Sequence, residues 1–312
     1  MAITASMVKE LREMTGAGMM DCKNALKETD GNMEKAVDVL REKGLSSAAK
    51  KSGRVAAEGL VVIKQTSDNK EAVMVEVNSE TDFVTKNEEF KAFVDEVADI
   101  ALSEKVASLD ELLNSKSSAG TVQDLLTSKI AKIGENMNIR RVARLTVKNG
   151  VIASYIHAGG NIGSLIKVES DSDDTAALLE LGKDIAMQTA AMSPKYLDEK
   201  SVDEDYIKHE KEVLKTQALN ENAALPEGRR KPEQIVLKMI EGRFRKELKE
   251  VCLVDQAFVK EPKKSVKDIV SECAKKLGKD IKIAEFVRYQ VGEGLAKKEE
   301  DFAEEVAKQM GN

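Results

Sequence analysis

Residues 4–45 carry apolar side chains at helical spacing. The third segment shows this most clearly, since its apolar positions follow i, i+3, i+4 and i+7: Met33, Ala36, Val37 and Leu40. Asn32 is a natural N-cap for that segment, and Gly44 is a natural residue to end it. The pattern predicts three short helices with a marginal core, followed by a flexible linker over residues 46–54.

The period changes to two from Gly59 onward. "LVVIKQ" and "EAVMVEVN" alternate and are joined by the polar "TSDNK", which predicts a β-hairpin. Helical spacing returns over residues 88–104 and again from Thr121. Between the hairpin and the first of these helices lies the polar stretch "NSETDFVTKN", which contains a single aromatic residue, Phe83.

A second region of strands follows. "RVARLTV" and "VIASYIH" flank Asn149-Gly150, a strong hairpin signal, and "SLIKVES" follows the turn "HAGGNIG". A helix is expected over residues 173–192. Strands followed by a helix thus occur twice, which predicts two related α+β lobes, although no strong repeat of residues accompanies the pattern.

Two charged, thinly amphipathic segments, residues 201–219 and 232–250, are joined by a stretch rich in turn formers, which predicts an antiparallel helical hairpin. Ser265 and Asp268 form a capping box for another helix, and "EFVRYQV" alternates as a closing strand. The chain ends in a short charged segment of helical character. The antiparallel helical hairpin predicted above has little core of its own, which is typical of an interaction arm.

Composition narrows the class of protein. The 312 residues are 42% hydrophobic and 33% charged, with a net charge of −6, which favours a globular protein of about two domains over a nucleic-acid binder. No signal peptide or membrane-spanning run is evident, and three widely spaced cysteines indicate a reducing compartment. We therefore expect a cytoplasmic protein that contacts neither membrane nor nucleic acid directly.

Candidate catalytic chemistry is sparse. The sequence has no phosphate-binding loop or dinucleotide fingerprint. His157 and His209 lie in different predicted elements, with no cysteine at ligand spacing from either. We expect no cofactor, no metal and no catalytic residue, so a binding protein is favoured over an enzyme. A general scaffold built on the N-terminal helices and an enzyme hidden in the two lobes remain as alternatives.

Two short stretches stand out as candidate contact surfaces. "TGAGMMD" places Met19 and Met20 beside glycines, where they either contact a partner or fill the small helical core. "TDFV" places Asp82 and Phe83 in a polar connection, where they either contact a partner or cap and pack locally. The residues alone leave both pairs of alternatives open.

Longer strings carry a resemblance to a known family. "LREMTGAGMMDCKNALKETDGNMEKAVDVLREKG" and "EVNSETDFVTKN" resemble the two signatures of the elongation factor Ts family. "KIGENMNIRRV" and "FVRYQVGEGL" are similar to further parts of it, so the resemblance covers essentially the whole chain.

The resemblance implies an α+β architecture in five parts. These are a UBA-like three-helix domain with its linker (1–54), a core N-subdomain (55–147), a core C-subdomain (148–193 and 251–298), an inserted antiparallel coiled-coil hairpin (194–250) and a C-terminal helical module (299–312). Both core subdomains are expected to contain antiparallel sheets. The hairpin tip is longer than the compact turn usual in the family.

The resemblance also implies a function: nucleotide exchange on the GTPase elongation factor Tu, without covalent chemistry. The family's TDFV motif, here Thr81, Asp82, Phe83 and Val84, is implied to displace Mg²⁺ from the GTPase. Further partner contacts are implied at Arg12, Met19, Met20 and His157. Relatives form heterodimers or two-plus-two assemblies. The loop after His157 departs from the family, with Ala158 and Asn161 where relatives often carry Gly and a basic residue.

Overall fold

The computed structural model describes residues 3–15 and 17–296, apart from the side chains of residues 13 and 45–47. It is an α+β structure with two three-stranded sheets. The chain divides into two compact units. Of the described residues, the first unit contains those up to Leu145, Ile156–Gly163 and those from Tyr289 onward, and the second contains Thr146–Tyr155 and Ser164–Arg288. The predicted C-terminal module, residues 299–312, lies outside the described residues.

The first unit begins with the three predicted helices: α1 (Ala5–Thr15), α2 (Met19–Glu28) and α3 (Met33–Lys51). The Asn32 side chain accepts a hydrogen bond from the Lys35 N–H, which confirms its role as N-cap. The small core of this group contains Val8, Leu11, Cys22, Ala25, Leu26 and Ala36.

Helix α3 is longer than the sequence indicated, so the prediction of a helix end at Gly44 and a linker from residue 46 was wrong. The helix continues to Lys51, and Ser52 is its C-cap. Tertiary packing supplies the reason. Gly44 faces Thr127 and Ala131, since an added Cβ would lie 3.8 and 3.9 Å from them, and Ala48 packs against the main core of this unit. These contacts outweigh the low helix propensity of glycine.

The first sheet has the order β1-β2-β5, with β1 at Glu58–Gln65, β2 at Glu71–Ser79 and β5 at Met137–Thr146. β1 and β2 pair antiparallel, as the alternating pattern predicted, with Val61 opposite Glu76. The remaining elements of the unit are helices α4 (Asp82–Thr85), α5 (Glu88–Ser103), α6 (Leu109–Asn114) and α7 (Val122–Ile133), and the short strands β3 (Lys116–Ser117) and β4 (Gly120–Thr121). Phe90 and Phe93 are buried in the core between sheet and helices.

The second sheet has the order β10-β7-β6, with β6 at Gly150–His157, β7 at Ile162–Ser170 and β10 at Ile281–Gln290. β5 and β6 therefore belong to different sheets, and the predicted hairpin at Asn149-Gly150 was wrong. Gly150 serves another purpose: a Cβ there would lie 1.9 Å from the Val168 carbonyl oxygen. The glycine permits close approach of two chains instead of a two-residue turn.

The second unit also contains helix α8 (Thr175–Met192), α9 (Glu204–Ala223), α10 (Glu233–Val251), strands β8 (Ala257–Phe258) and β9 (Glu261–Ser265), and helix α11 (Val266–Leu277). Short 3₁₀ turns lie at Glu199–Ser201, Glu227–Arg229 and Leu253–Asp255. Helices α9 and α10 pack together through Ala218, Val236 and Ile240, with Tyr206 bonded to Glu247 near the other end. Among the described helices, none combines the length and apolar content needed to cross a membrane.

The two units repeat one pattern of elements, which bears on the predicted likeness of the lobes. In each, a short β-hairpin leads into a helix with a capping box, at Thr121 and at Ser265, and that helix ends at a left-handed glycine, Gly134 or Gly278. Thr121 and Ser265 are 144 residues apart, and so are Gly134 and Gly278. The number of residues between the cap and the glycine is therefore the same in the two helices. The repeat is carried by caps and backbone conformation, with few identical residues, which is why the residues alone did not reveal it.

Candidate partner-binding site

Helix α4 presents Phe83 to solvent. β2 ends at Ser79, and α4 begins at Asp82. Successive residues of a helix point about 100° apart, so neighbouring side chains face different surroundings. Val84 is 7% exposed and packs in the core, whereas Phe83 is 77% exposed. Phe83 has the highest exposed fraction among the large apolar side chains of the described residues. Local packing of Phe83, one of the two alternatives left open by the residues, is therefore wrong.

Hydrogen bonds hold the chain just before α4. The Thr81 N–H donates to Glu135 Oε2 over 3.0 Å, and the Thr81 hydroxyl donates to Glu135 Oε1 over 2.7 Å. On the adjacent residues the direction is reversed, since the Asn136 N–H donates to Glu80 Oε1 over 2.5 Å. We call these four residues, Glu80, Thr81, Glu135 and Asn136, the carboxylate clamp. It joins the start of α4 to the loop between α7 and β5.

Two charged residues lie near Phe83: Asp82, at the start of α4, and Lys86, the C-cap residue of α4. Lys86 Nζ lies 2.8 Å from Asp82 Oδ2 and 5.5 Å from the centre of the Phe83 ring. The Asp82 side chain is 54% exposed and that of Lys86 is 71% exposed. Exposed pairs of this kind contribute about 0–1 kcal/mol, so Asp82 can exchange Lys86 for another partner at little cost.

A buried ion cluster is centred on Glu76 of β2. Glu76 is fully buried and accepts hydrogen bonds from Arg140, Arg141, Asn78 and the Gly292 N–H. Burial alone would raise the pKa of Glu76, but the Gly292 N–H and the Arg141 guanidinium outweigh burial, and the pKa lies below its ordinary value. The cluster ties β2 to β5 and to the chain after β10.

The N-terminal helices carry a second exposed apolar surface. Met19 is 60% exposed and Met20 is 64% exposed at the start of α2, and Arg12 is exposed on α1. The alternative that Met19 and Met20 fill the helical core is therefore wrong. Met14, near the end of α1, is also 62% exposed. Val8 and Leu11 are the buried residues that α1 contributes to the core.

His157 lies at the exposed end of β6, before a turn with three successive left-handed residues, Ala158, Gly159 and Gly160. The turn packs on the first sheet, because the Val61 N–H donates to the Gly160 carbonyl oxygen over 2.7 Å. The prediction of a tight turn between strands is confirmed. The structure thus distributes the predicted site residues over three surfaces of the first unit: α4, the N-terminal helices and this turn.

Two features of the described part of the chain bear on its chemistry: the grouping of possible metal ligands and the state of the three cysteines. No group of three or more His, Cys, Asp or Glu residues there could hold a metal ion. Cys22 and Cys252 are buried and Cys273 is half-buried. Burial raises the pKa of all three thiols, that of Cys252 to about 11, so they remain protonated at neutral pH.

The sequence-based prediction missed Glu135 and Asn136, although both lie within "KIGENMNIRRV". That string contributed to the resemblance, but no role was assigned to its polar residues. A signal was available: Gly134 is followed directly by polar residues, and such a loop is free to turn back toward another element. The sequence did not indicate that the partner of this loop would be Thr81, which is 54 positions from Glu135 in the chain.

Comparison with known proteins gives a consistent result. The family model described as "Elongation factor TS" matches residues 80–293. A relative named "Elongation factor Ts" from Clostridioides difficile (strain 630) is 58% identical over 309 residues, covering 99% of both chains. Relatives of the same name from Clostridium novyi (strain NT) and Clostridium tetani (strain Massachusetts / E88) are 55% and 53% identical, again over 99% of both chains.

Proposed function

Because this chain belongs to the elongation factor Ts family, we propose that it binds elongation factor Tu in the GDP-bound state and promotes the release of GDP. The observation that carries the proposal is the exposure of Phe83 on an anchored helical turn. An aromatic side chain left largely in water, on a segment fixed by hydrogen bonds, is suited to insertion into a partner.

The proposed mechanism acts on the metal of the partner. The GTPase holds GDP through its phosphate-binding loop and a Mg²⁺ ion, which demands near-octahedral geometry. Phe83 inserts between elements of the GTPase, and Asp82 disturbs the ligand shell of the ion without becoming a ligand. The weak Asp82–Lys86 pair leaves the carboxylate available for this role. Loss of the ion leaves the diphosphate charge poorly compensated, so GDP dissociates faster.

Thermodynamic linkage sets the order of events. If this protein lowers the affinity of the GTPase for GDP, then GDP must lower the affinity of the GTPase for this protein by the same ratio. Each tenfold weakening of GDP binding requires about 1.4 kcal/mol of coupling free energy. The chain should therefore prefer the nucleotide-free GTPase and be released when GTP rebinds. It performs no covalent chemistry of its own in this scheme.

The other surfaces are assigned supporting roles. We propose that α1–α3 form a UBA-like domain whose Arg12, Met19 and Met20 contact the nucleotide-binding domain of the GTPase. His157 contacts a second domain of the same partner. The hairpin of α9 and α10 acts as an antiparallel coiled coil, and the assembly is a heterodimer or a two-plus-two complex.

The test is the release of a fluorescent GDP analogue from elongation factor Tu at increasing concentrations of this protein. The Asp82→Ala, Phe83→Ala double variant should lose most of the acceleration while keeping its thermal stability, since both side chains are largely exposed. Val259→Ala is the matched control, because Val259 is an exposed apolar residue of the second unit. Unchanged acceleration by the double variant would contradict the mechanism, and a wild-type protein without any acceleration would contradict the function.

A further inference from the structure

We propose that Glu135 is a positioning residue, which fixes the backbone before α4 so that Phe83 is already in its docking orientation before the partner arrives. The proposal rests on the proposed function, since it concerns the same site. Glu135 lies in the loop between α7 and β5, 54 positions from the residue it holds. It therefore acts on the site through Thr81 and need not touch the partner itself.

The geometry at Thr81 sets Glu135 apart from an ordinary surface carboxylate. Both oxygens of Glu135 are used on one residue, one by the Thr81 N–H and the other by the Thr81 hydroxyl. Thr81 is the N-cap residue of α4, yet its side chain makes no capping hydrogen bond to that helix. A threonine at this position normally accepts a bond from the helix backbone. Here the hydroxyl donates to Glu135 instead, so the constraint on α4 comes from outside the helix.

The neighbouring residues make the constraint reciprocal. Glu80 accepts the Asn136 N–H, and the Asn136 side chain donates to the Arg54 carbonyl oxygen over 2.7 Å. Asn136 is 2% exposed, so its end of the carboxylate clamp is shielded from water. Two adjacent residues on each side thus exchange side-chain and backbone hydrogen bonds. This arrangement fixes both the distance and the rotation of the chain as it enters α4.

Phe83 needs such a constraint because its own packing supplies none. The neighbouring Val84 anchors one side of the four-residue helix in the core, whereas Phe83 extends into solvent. A helix this short is not stable by itself in water. If the segment before α4 were mobile in the free protein, the conformational entropy lost on ordering it would weaken binding to the partner. Ordering about one residue corresponds to about a tenfold loss of affinity, and Glu135 removes that loss in advance.

The experiment measures the affinity for elongation factor Tu by titration calorimetry in two backgrounds. Glu135→Ala in the otherwise native chain should weaken binding by about tenfold. Glu135→Ala in the Asp82→Ala, Phe83→Ala background should weaken it by less than about twofold, because the side chains being positioned are gone. A defect in folding would weaken binding in both backgrounds equally. Equal weakening therefore overturns the proposal.

Two further measurements keep the test decisive. Hydrogen exchange of the Thr81 amide should be faster in Glu135→Ala, and an unchanged rate overturns the proposal. Glu89→Gln is the matched control, since Glu89 joins α5 to Lys129 and Lys132 of α7 in the same unit, and it should change affinity by less than about twofold. If Glu135→Ala does not fold, Thr81→Val in both backgrounds replaces it and should show the same dependence on the background.

The proposed function fails separately. If the native chain does not bind elongation factor Tu, or if the Asp82→Ala, Phe83→Ala variant accelerates GDP release normally, the function or its mechanism is contradicted. If that variant is defective and Glu135→Ala is not, only the positioning role is contradicted.

Discussion

Replacing Glu76 by Gln tests the buried ion cluster that joins β2 to the rest of the first unit. The carboxylate is fully buried, and its oxygens accept from Arg140 Nη1 at 3.1 Å, Arg141 Nε at 2.5 Å and the Gly292 N–H at 2.9 Å. Glutamine has nearly the same shape but carries one acceptor oxygen and no charge. Its amide group would point hydrogen atoms at a position already occupied by donors.

The cost follows from these contacts. Breaking a buried ion pair by removing one partner typically costs about 3–5 kcal/mol, because the remaining charge is left uncompensated. The Arg140 and Arg141 side chains are 25% and 28% exposed, so water compensates part of their charge. We therefore expect the lower end, about 3 kcal/mol of unfolding free energy. For a unit of 150–250 residues this lowers Tm by about 6–12 °C.

The loss should depend on pH in a defined direction. The pKa of Glu76 in the folded protein lies below its ordinary value of 4.5. The carboxylate therefore contributes its full stability above the unfolded-state pKa, and that contribution disappears as the pH falls through the lower folded-state value. The difference in Tm between native chain and Glu76→Gln should be constant above about pH 5 and should shrink below about pH 4.

The assay is differential scanning calorimetry of both proteins from pH 3 to pH 7, with Glu89→Gln as the control. Glu89 is also a carboxylate between two cations, Lys129 and Lys132, but it is 26% exposed. Its replacement should cost about 1 kcal/mol or less. If Glu76→Gln and Glu89→Gln lose the same stability at pH 7, or if the Glu76 difference grows on acidification, the reasoning is refuted.

Three further predictions concern local contacts. Gly150→Ala should lower the free energy of unfolding by about 3 kcal/mol or more, because the added Cβ would lie 1.9 Å from a carbonyl oxygen at a residue with a φ of +116°. Gly53→Ala is the control and should lower it by less than about 1 kcal/mol, because no atom lies within 4 Å of the added Cβ. Similar losses of thermal stability in the two variants would contradict the argument. Asn32→Ala should cost about 1 kcal/mol by removing the N-cap of α3, and circular dichroism on heating measures it. Cys22 and Cys252 should react with a thiol reagent at pH 7 only after denaturation, and rapid labelling of either thiol in the native protein would contradict this prediction.

Much of the secondary structure was determined locally by the sequence. The alternation before and after "TSDNK" predicted β1 and β2, and the apolar stripe of residues 88–104 predicted α5, because each pattern repeats the geometry of its element. Capping residues were equally readable. Asn32, Thr121 and Ser265 all bond to the backbone three positions ahead, and such bonds need no distant partner.

Pairing between distant segments was decided by the tertiary structure. Asn149-Gly150 has the composition of a hairpin turn, but β6 pairs with β7, and β5 is drawn to β2 in the other sheet. Gly44 has the composition of a helix end, but packing of α3 on α7 carries the helix past it. In both cases the local preference is about 1 kcal/mol, and buried contacts exceed it.

The candidate site shows the same division. The sequence determined which residues form the motif, and the family resemblance singled out Phe83 and Asp82 from it. Only the fold decided that Val84 turns inward, that Phe83 turns outward and that Glu135 reaches Thr81 across 54 positions. Local patterns report interactions within a few residues of the chain. Exposure and long-range hydrogen bonds depend on what the rest of the chain places nearby, and that is set when the units pack.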